Sequence, residues 1–282
     1  MPDASLKTLI RRTVPRPVRN WLRSPSKSVE WMWDTIQFSL GATKTFEFPP
    51  ALRIAMHPHA FKVAHKAQIS EPEESAEFQN FISYCNSGMF LFDIGAHYGL
   101  FSLVAAQFNG TAVAVDPSDI AIRMIVRQIA LNKAGNRIRT LHAAASDASG
   151  TLQMLSSGVF SEGYFKLAVG RSASEITSIR SVTIDEMASE FGAPTHIKID
   201  VEGHEAATLR GGRETLARFS PTLFLELHND MVAADGGDPD AALEELQSMG
   251  YAPFSYGGVL LDRSDIFRKP IARVVARRIV PR

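Results

Sequence analysis

Residues 90–99, FLFDIGAHYG, constrain this 282-residue chain more than any other stretch. Positions 90–93 read as a short buried strand ending in a carboxylate, Gly95 and Gly99 bracket a tight turn, and positions 100–108 open a helix. A strand, a glycine-bearing turn and a helix N-terminus make a crevice where backbone can come close to a ligand. The turn is G-x-x-x-G. His97 stands where the middle glycine of a dinucleotide fingerprint would let backbone meet a pyrophosphate. The chain also lacks G-x-x-x-x-G-K-[ST], which excludes a nucleoside triphosphate loop. A phosphate-free cofactor with an amine, a carboxylate and a ribose suits this turn better. Asp93 is suited to receive the amine, directly or through water, and the helix N-terminus favours the carboxylate. Asp116 should end the next strand, where a carboxylate can accept both ribose hydroxyls.

Strands are expected near 90–93, 111–115, 138–144, 195–199 and 221–227, and helices near 99–107, 118–132, 183–190, 203–210 and 240–249. Such alternation predicts an α/β fold with a mostly parallel sheet covered on both faces. Residues 251–255 and 259–261 read as a hairpin around Tyr256-Gly257-Gly258, adding antiparallel strands at one edge. Residues 151–155 and 181–184 are further strand candidates, and 71–81 reads as a helix over the cofactor site. The polar stretch 156–177 has the length of a lid or binding loop.

Five blocks occur in order between roughly residues 75 and 260: FDIGAHYGLFSL, AVAVDPS, AAASDASGTL, HIKIDVEGHEAATLRGG and PTLFLELH. Together they resemble the FkbM-type S-adenosylmethionine-dependent methyltransferases, and the run from Asp200 to Glu205 is the most specific part of the likeness. The chain departs from the family in carrying His97 where Asn is usual and Asp116 where Glu is usual; both keep hydrogen-bonding capacity. The resemblance implies a Rossmann-like class I methyltransferase fold with S-adenosyl-L-methionine as cofactor. It also implies methyl transfer by in-line displacement to a hydroxyl of a sugar, glycolipid or related natural product. Cofactor contacts are expected from Asp93, Gly95, Ala96, His97, Gly99, Asp116 and Asp200. Ser146 and Asp147, after three small alanines, resemble the family's adenine-contacting turn. Asp-Ala-Ser-Gly would equally suit a plain turn cap.

Asp200 follows the strand near 195–199 and is expected to face the cofactor's reactive half. Glu202 is expected to cap the next helix and to serve as a substrate ligand. His204-Glu205-Ala206-Ala207-Thr208 misses the zinc-protease pattern H-E-x-x-H, because Thr208 replaces the second histidine. Period-2 geometry puts Glu226 and His228 on one strand face. His228 is therefore the candidate general base, with Glu226 as its orienter or a substrate ligand; a structural strand-end role is the alternative for His228. No metal site is expected. His57, His59 and His65 lack companion carboxylates or cysteines at ligand spacing, and an ion shared by Asp200, Glu202, Glu226 and His228 is the less favoured reading.

A formal net charge of zero conceals two basic ends. Residues 1–27 carry net +6, as do residues 263–282. The expected division is a basic, amphipathic helical extension over 1–74, a methyltransferase domain over 75–262 and a basic tail over 263–282. Val29, Met32, Trp33, Ile36 and Leu40 form an apolar stripe at helical spacing. It suits packing on the domain, a homo-oligomer contact, or an anionic membrane surface. Nucleic acid is not an expected partner, since no recognised module or base-stacking pattern is present; the expected partner is a small-molecule or glycan acceptor. No run approaches the 18 apolar residues of a membrane span, no secretory leader is evident, and the single Cys85 precludes an internal disulfide. Cytoplasm is the expected location, with peripheral attachment at the inner membrane surface as an option. Two other readings compete: a nicotinamide-dependent oxidoreductase, weakened by His97, and a non-catalytic membrane-surface scaffold, weakened by the retained Asp93, Asp116 and Asp200.

Overall fold

In the computed structural model, which describes residues 25–48, 52–67, 71–156, 165–167 and 176–279, helix α1 (Pro25–Ser39) precedes an antiparallel hairpin. Its strands are β1 (Lys44–Phe48) and β2 (Leu52–Met56). Period-2 alternation turns Phe46, Phe48, Leu52, Ile54 and Met56 inward. Helices α2 (Pro58–His65) and α3 (Pro72–Tyr84) follow, and Phe78 and Phe81 of α3 share a core with the hairpin. His57 serves α2 as a cap, its Nδ1 accepting from the His59 amide at 3.0 Å. His57 thus has a local structural use.

The Rossmann-like layer begins with β3 (Phe90–Ile94), α4 (Leu100–Gln107), β4 (Thr111–Asp116), α5 (Asp119–Leu131) and β5 (Ile138–His142). A smaller four-stranded sheet comprises β6 (Ala144–Ala145), β7 (Gly150–Ser156), β8 (Phe165–Leu167) and β9 (Ile176–Val182). Then come α6 (Ile184–Phe191), β10 (His196–Ile199), α7 (Glu205–Arg210), α8 (Arg213–Phe219) and β11 (Thr222–Leu227). The last described elements are α9 (Asn229–Ala234), α10 (Asp240–Ser248), β12 (Tyr251–Phe254), α11 (Arg263–Phe267) and β13 (Ala272–Arg278). Strand order in the main sheet is β12-β13-β11-β10-β3-β4-β5. Strands β11, β10, β3, β4 and β5 are mutually parallel, while β13 and β12 complete one edge antiparallel.

Central strands buried on both faces need apolar residues at consecutive positions. Leu91, Phe92 and Ile94 of β3 and Leu223, Phe224 and Leu225 of β11 supply them. One core gathers Phe46, Phe78, Leu103 and Ile125 on one side of the sheet, and a second gathers Phe92, Val113, Ile184, Leu209 and Leu246 on the other. Helix starts follow local chemistry. Ser118 Oγ accepts from the Ala121 amide at the head of α5, and Thr183 Oγ1 accepts from Glu186 at the head of α6.

Four expectations need correction. The expected tail over 263–282 is built into the fold over 263–279: α11 and β13 lie there, and β13 is inserted between β12 and β11. The arginines hid a strand pattern in which Ala272, Val274 and Ala276 are buried. The antiparallel edge is therefore β12 with β13, and the stretch 259–261 contributes only an isolated bridge between Leu260 and Phe254. The extension over 1–74 is helical only in part, because β1 and β2 build core within it. The candidate strand 181–184 is instead the end of β9 and the start of α6. The expectations for residues 1–24, and for 157–164 and 168–175 of the polar stretch, fall outside the described residues. Among the described residues no helix is long and apolar enough to cross a membrane.

Candidate active site

A cavity of about 460 Å³ opens beyond the carboxyl ends of β3, β4, β10 and β11. That volume falls in the ~300–1,000 Å³ range usual for small-molecule sites, and the position is the one open α/β sheets use.

One end of the cavity is made of backbone. Gly95 N and Ala96 N both donate to Val115 O, at 2.9 and 3.0 Å, which ties the turn to the neighbouring strand. Gly95, His97 and Gly99 all have positive φ (79°, 51° and 74°), so three of five turn residues are left-handed. Gly95 is required for a further reason: a Cβ there would lie 1.8 Å from the Asp200 carbonyl oxygen. The left-handed His97 directs its amide to Asp116 Oδ2 at 2.8 Å, and Ser118 N donates to Asp116 Oδ1 at 2.8 Å. Each Asp116 oxygen keeps a lone pair for a ligand. Burial pushes the Asp116 carboxyl up to about 7, against the pull of the Ser118 and His97 amides. Gly95, Ala96, His97 and Asp116 line the cavity, as do the small residues Ala144 and Ala145.

The other end is made of charge. Lys198, near the end of β10, is 3% exposed, and its Nζ lies 3.2 Å from Asp200 Oδ2, 3.1 Å from Glu226 Oε1 and 3.9 Å from Glu77 Oε1. The ammonium also sits 4.7 Å from the centre of the Phe101 ring. Burial alone would lower the Lys198 pKa; Asp200, Glu226 and Glu77 outweigh it and raise it well above the ordinary lysine value. Register places Arg273 of β13 opposite Glu226 of β11. The guanidinium meets Glu226 at 3.0 Å, Glu74 at 3.5 Å and Glu77 at 3.5 Å.

Between the two ends stands His228. Its Nδ1 is 2.7 Å from Glu205 Oε1, while Nε2 lies 3.7 Å from Asp200 Oδ1 and 4.0 Å from Glu202 Oε2. Burial would lower the imidazole pKa, but the Glu205 hydrogen bond and the Asp200 and Glu202 charges raise it to about 9. Glu202 has φ 54° and is followed by Gly203 at φ 96°, a tight reversal that leaves Glu202 on the cavity wall. Burial raises its carboxyl to about 7.

The site residues expected from sequence separate into two groups. Gly95, Ala96, His97, Asp116, Asp200, Glu202, Glu226 and His228 converge on the cavity. Gly99 does not line it; it sets the start of α4 and packs against Ile125. Asp93 also turns away: 1% exposed, its Oδ2 accepts from Ser102 N at 3.0 Å and Ser102 Oγ at 2.6 Å, capping the first turn of α4. Ser146 and Asp147 are likewise absent from the wall. A Cβ on Gly211 would lie 2.0 Å from Ser146 O, so this turn is packed beneath α7, with Ser146 Oγ 3.0 Å from His204 Nε2 and Asp147 facing Arg210. Glu202 is not a helix cap, since α7 starts at Glu205 with His204 at the cap position. Glu226 does not orient His228; it pairs with Lys198 and Arg273, and Glu205 takes the orienting role. Glu205, Lys198, Arg273 and Glu77 were missed. A signal existed for the first two, which flank Asp200 in one block, but none tied Glu77 or Arg273 to it.

Asp200, Glu226 and His228 can bring one ligand atom each to within 4.8 Å of one another, the spacing of a metal cluster. The Lys198 ammonium already lies against two of the three, so this place carries its own cation.

This sheet, with its cavity at the strand ends and its glycine-turn wall, defines a Rossmann-like fold of the methyltransferase type. Residues 93–253, more than half of the chain, match the methyltransferase FkbM domain, and the chain belongs to that family. Among solved structures it is similar to a methyltransferase FkbM from Methylobacillus flagellatus KT, with 16% identity, a TM-score of 0.47 and coverage of 77% of this chain and 53% of that one. The chain thus spans about half the length of that protein. It is also similar to a geranyl diphosphate methyltransferase in complex with SAM (11% identity, TM-score 0.45, 78% and 90% coverage). A precorrin-6y C5,15-methyltransferase from Geobacter metallireducens GS-15 is a third (11% identity, TM-score 0.42, 72% and 87% coverage). No curated protein sequence matches the chain.

Proposed function

We propose that the chain is an S-adenosyl-L-methionine-dependent O-methyltransferase that acts on a hydroxyl of a sugar, glycolipid or related natural product by in-line displacement. The single observation that carries the oxygen acceptor is the His228–Glu205 pair, which presents an imidazole nitrogen to the cavity beside Asp200. The cavity residues fit the cofactor. Asp116 has spare lone pairs for a ribose diol, Ala144 and Ala145 leave a flat wall for a purine, and the carboxylates of Asp200 and Glu202 suit a cationic centre. When bound, the cofactor would supply a methyl group already activated on a sulfonium.

The chain's own task is then alignment and proton removal. Orientation of reactants can lower a barrier by ~7–11 kcal/mol, whereas a general base contributes ~10²–10⁴-fold. Alignment is the larger effect. Glu205 fixes the His228 ring through Nδ1–H, leaving Nε2 to accept the acceptor's hydroxyl proton. With a pKa of about 9, His228 is an imidazolium at neutral pH and must first lose its proton. Charge also limits the acceptor. Lys198 and Arg273 are held by carboxylates, Glu74 among them, and Glu71 and Glu202 outnumber Lys66 on the rest of the wall. A neutral polyol is favoured over a phosphorylated one.

Transfer of labelled methyl from S-adenosylmethionine to neutral sugars and glycolipids, against their phosphorylated counterparts, tests this reading. Label is expected on a neutral hydroxyl; label confined to nitrogen, carbon or phosphorylated acceptors contradicts it.

A further inference from the structure

Helix α1 is amphipathic in the inverted sense. Its body-facing side carries a buried charge: Asp34 is 2% exposed and lies 2.9 Å from Lys62 Nζ and 3.7 Å from His59 Nδ1 on α2. One turn earlier, Glu30 meets the same Lys62 at 2.8 Å. One turn later, Phe38 packs its ring 4.6 Å from that of His57. The outward side holds Val29, Met32, Trp33, Ile36 and, just past the helix end, Leu40, with exposures from 43% to 83%. A surface helix ordinarily buries its apolar stripe and shows water its charged one. Here ion pairs hold the helix to the body and the apolar stripe is left outward, which marks an interaction surface.

The sequence beside the stripe says what chemistry it meets. Residues 1–27 run directly into α1 and carry net +6. All three tryptophans of the chain, Trp21, Trp31 and Trp33, fall in this same region. Basic residues next to an apolar stripe bearing tryptophan suit the boundary between anionic headgroups and acyl chains. We propose that α1 is a docking element for an anionic lipid bilayer, its Trp33–Ile36–Leu40 side entering the interface and the preceding basic residues meeting the headgroups. This docking is independent of the reaction assigned to the cavity.

The test uses the full chain with phosphatidylcholine vesicles, with and without phosphatidylserine. Co-sedimentation with the anionic vesicles is expected, and it should weaken as salt rises. In a Trp21→Phe/Trp31→Phe background, Trp33 emission should shift to the blue and lose its access to an aqueous quencher on adding those vesicles. Trp33→Ser with Ile36→Ser should cut partitioning by about tenfold or more, equivalent to ~1.4 kcal/mol, with the melting temperature unchanged. Absent co-sedimentation, equal binding to uncharged vesicles, or undiminished binding by the double variant would each overturn the proposal. So would a lipid-free dimer that the double variant converts to monomer, which assigns the stripe to a second copy. A Trp33 already shielded from quencher without lipid overturns it too, since the chain then covers the stripe itself.

Discussion

At the β3–α4 turn the cavity wall is backbone; at the β10–β11–β13 end it is side-chain charge. The first end spends three left-handed residues and two amides on Val115 O to bring main chain close to a ligand. The second holds Lys198 and Arg273 among Glu77, Asp200 and Glu226, of which Glu77 and Lys198 are buried and Asp200 opens to the cavity. The difference assigns tasks: a backbone wall recognises shape and hydrogen-bonding edges, and a charged wall sets proton affinities and the charge of what may enter. His228, between them, draws its high pKa from the Glu205 hydrogen bond first, and then from the Asp200 and Glu202 charges.

The contrast is open to attack first at Lys198. Lys198→Met leaves Asp200, Glu226 and Glu77 short of a cation, and breaking such a buried pair typically costs ~3–5 kcal/mol. Urea unfolding should register that loss, and adding Glu226→Gln should recover part of it. An unaltered midpoint would mean the charged end is not a coupled unit.

His228→Ala comes next, with methyl transfer falling ~10²–10⁴-fold while cofactor affinity holds. The pH profile sharpens the point. His228 has its pKa raised from 6.5 to about 9, so the imidazolium cannot accept a proton at pH 7, and the rate should climb between pH 7 and 9 and then level. Stability should move the opposite way. The contribution of the His228 pairs with Glu205, Asp200 and Glu202 is complete below pH 6.5 and lost as pH rises through about 9, and His228→Gln should flatten that decline. A rate independent of pH over this window would remove His228 from proton transfer.

At the backbone end, Gly95→Ala and Gly99→Ala both force a left-handed alanine, costing roughly 1–2 kcal/mol. Only at Gly95 does the new Cβ meet a carbonyl oxygen, that of Asp200, at 1.8 Å; at Gly99 it meets the Ile125 side chain at 3.0 Å. Gly95→Ala should therefore cost clearly more in urea unfolding, and equal costs would show that the Asp200 backbone yields.

The smallest effects separate two acids expected to hold cofactor. Asp116→Asn should weaken S-adenosylmethionine binding by about tenfold, the scale of a hydrogen bond to a charged group. Wild-type affinity should also drop as pH falls below about 7, where Asp116 takes up a proton. Asp147→Ala should leave affinity unmoved and change stability by ~0–1 kcal/mol, since it breaks an exposed pair with Arg210 and a long 3.3 Å hydrogen bond from Ser146 Oγ. Calorimetry distinguishes the two, and comparable losses would restore Asp147 to the site.

The same contrast explains what could be read from sequence. The glycine turn and Asp116 were legible because a contiguous strand–turn–helix pattern forces backbone into one shape. Even there, Asp93 was expected at the ligand while its carboxylate accepts from Ser102, because a carboxylate near a helix start can serve the helix as readily as a ligand. The charged end joins positions 198, 200, 226 and 273, which sheet order brings together, with position 77 of the covering helix α3. No local spacing announces such a set, and Arg273 was further hidden within a basic run that read as a tail. Glu226 was expected to orient His228 or to bind substrate, and Glu205 takes the orienting place for a related reason. Period 2 stops at the end of β11, where His228 takes φ −88° and ψ 69° and turns toward α7.

Titration calorimetry of the folded chain with S-adenosylmethionine and S-adenosylhomocysteine puts the cavity assignment to its most direct test. Saturable single-site binding of both is expected, weakened in Asp116→Asn and preserved in His228→Ala. No saturable heat from either compound, with the chain folded by circular dichroism, would contradict it.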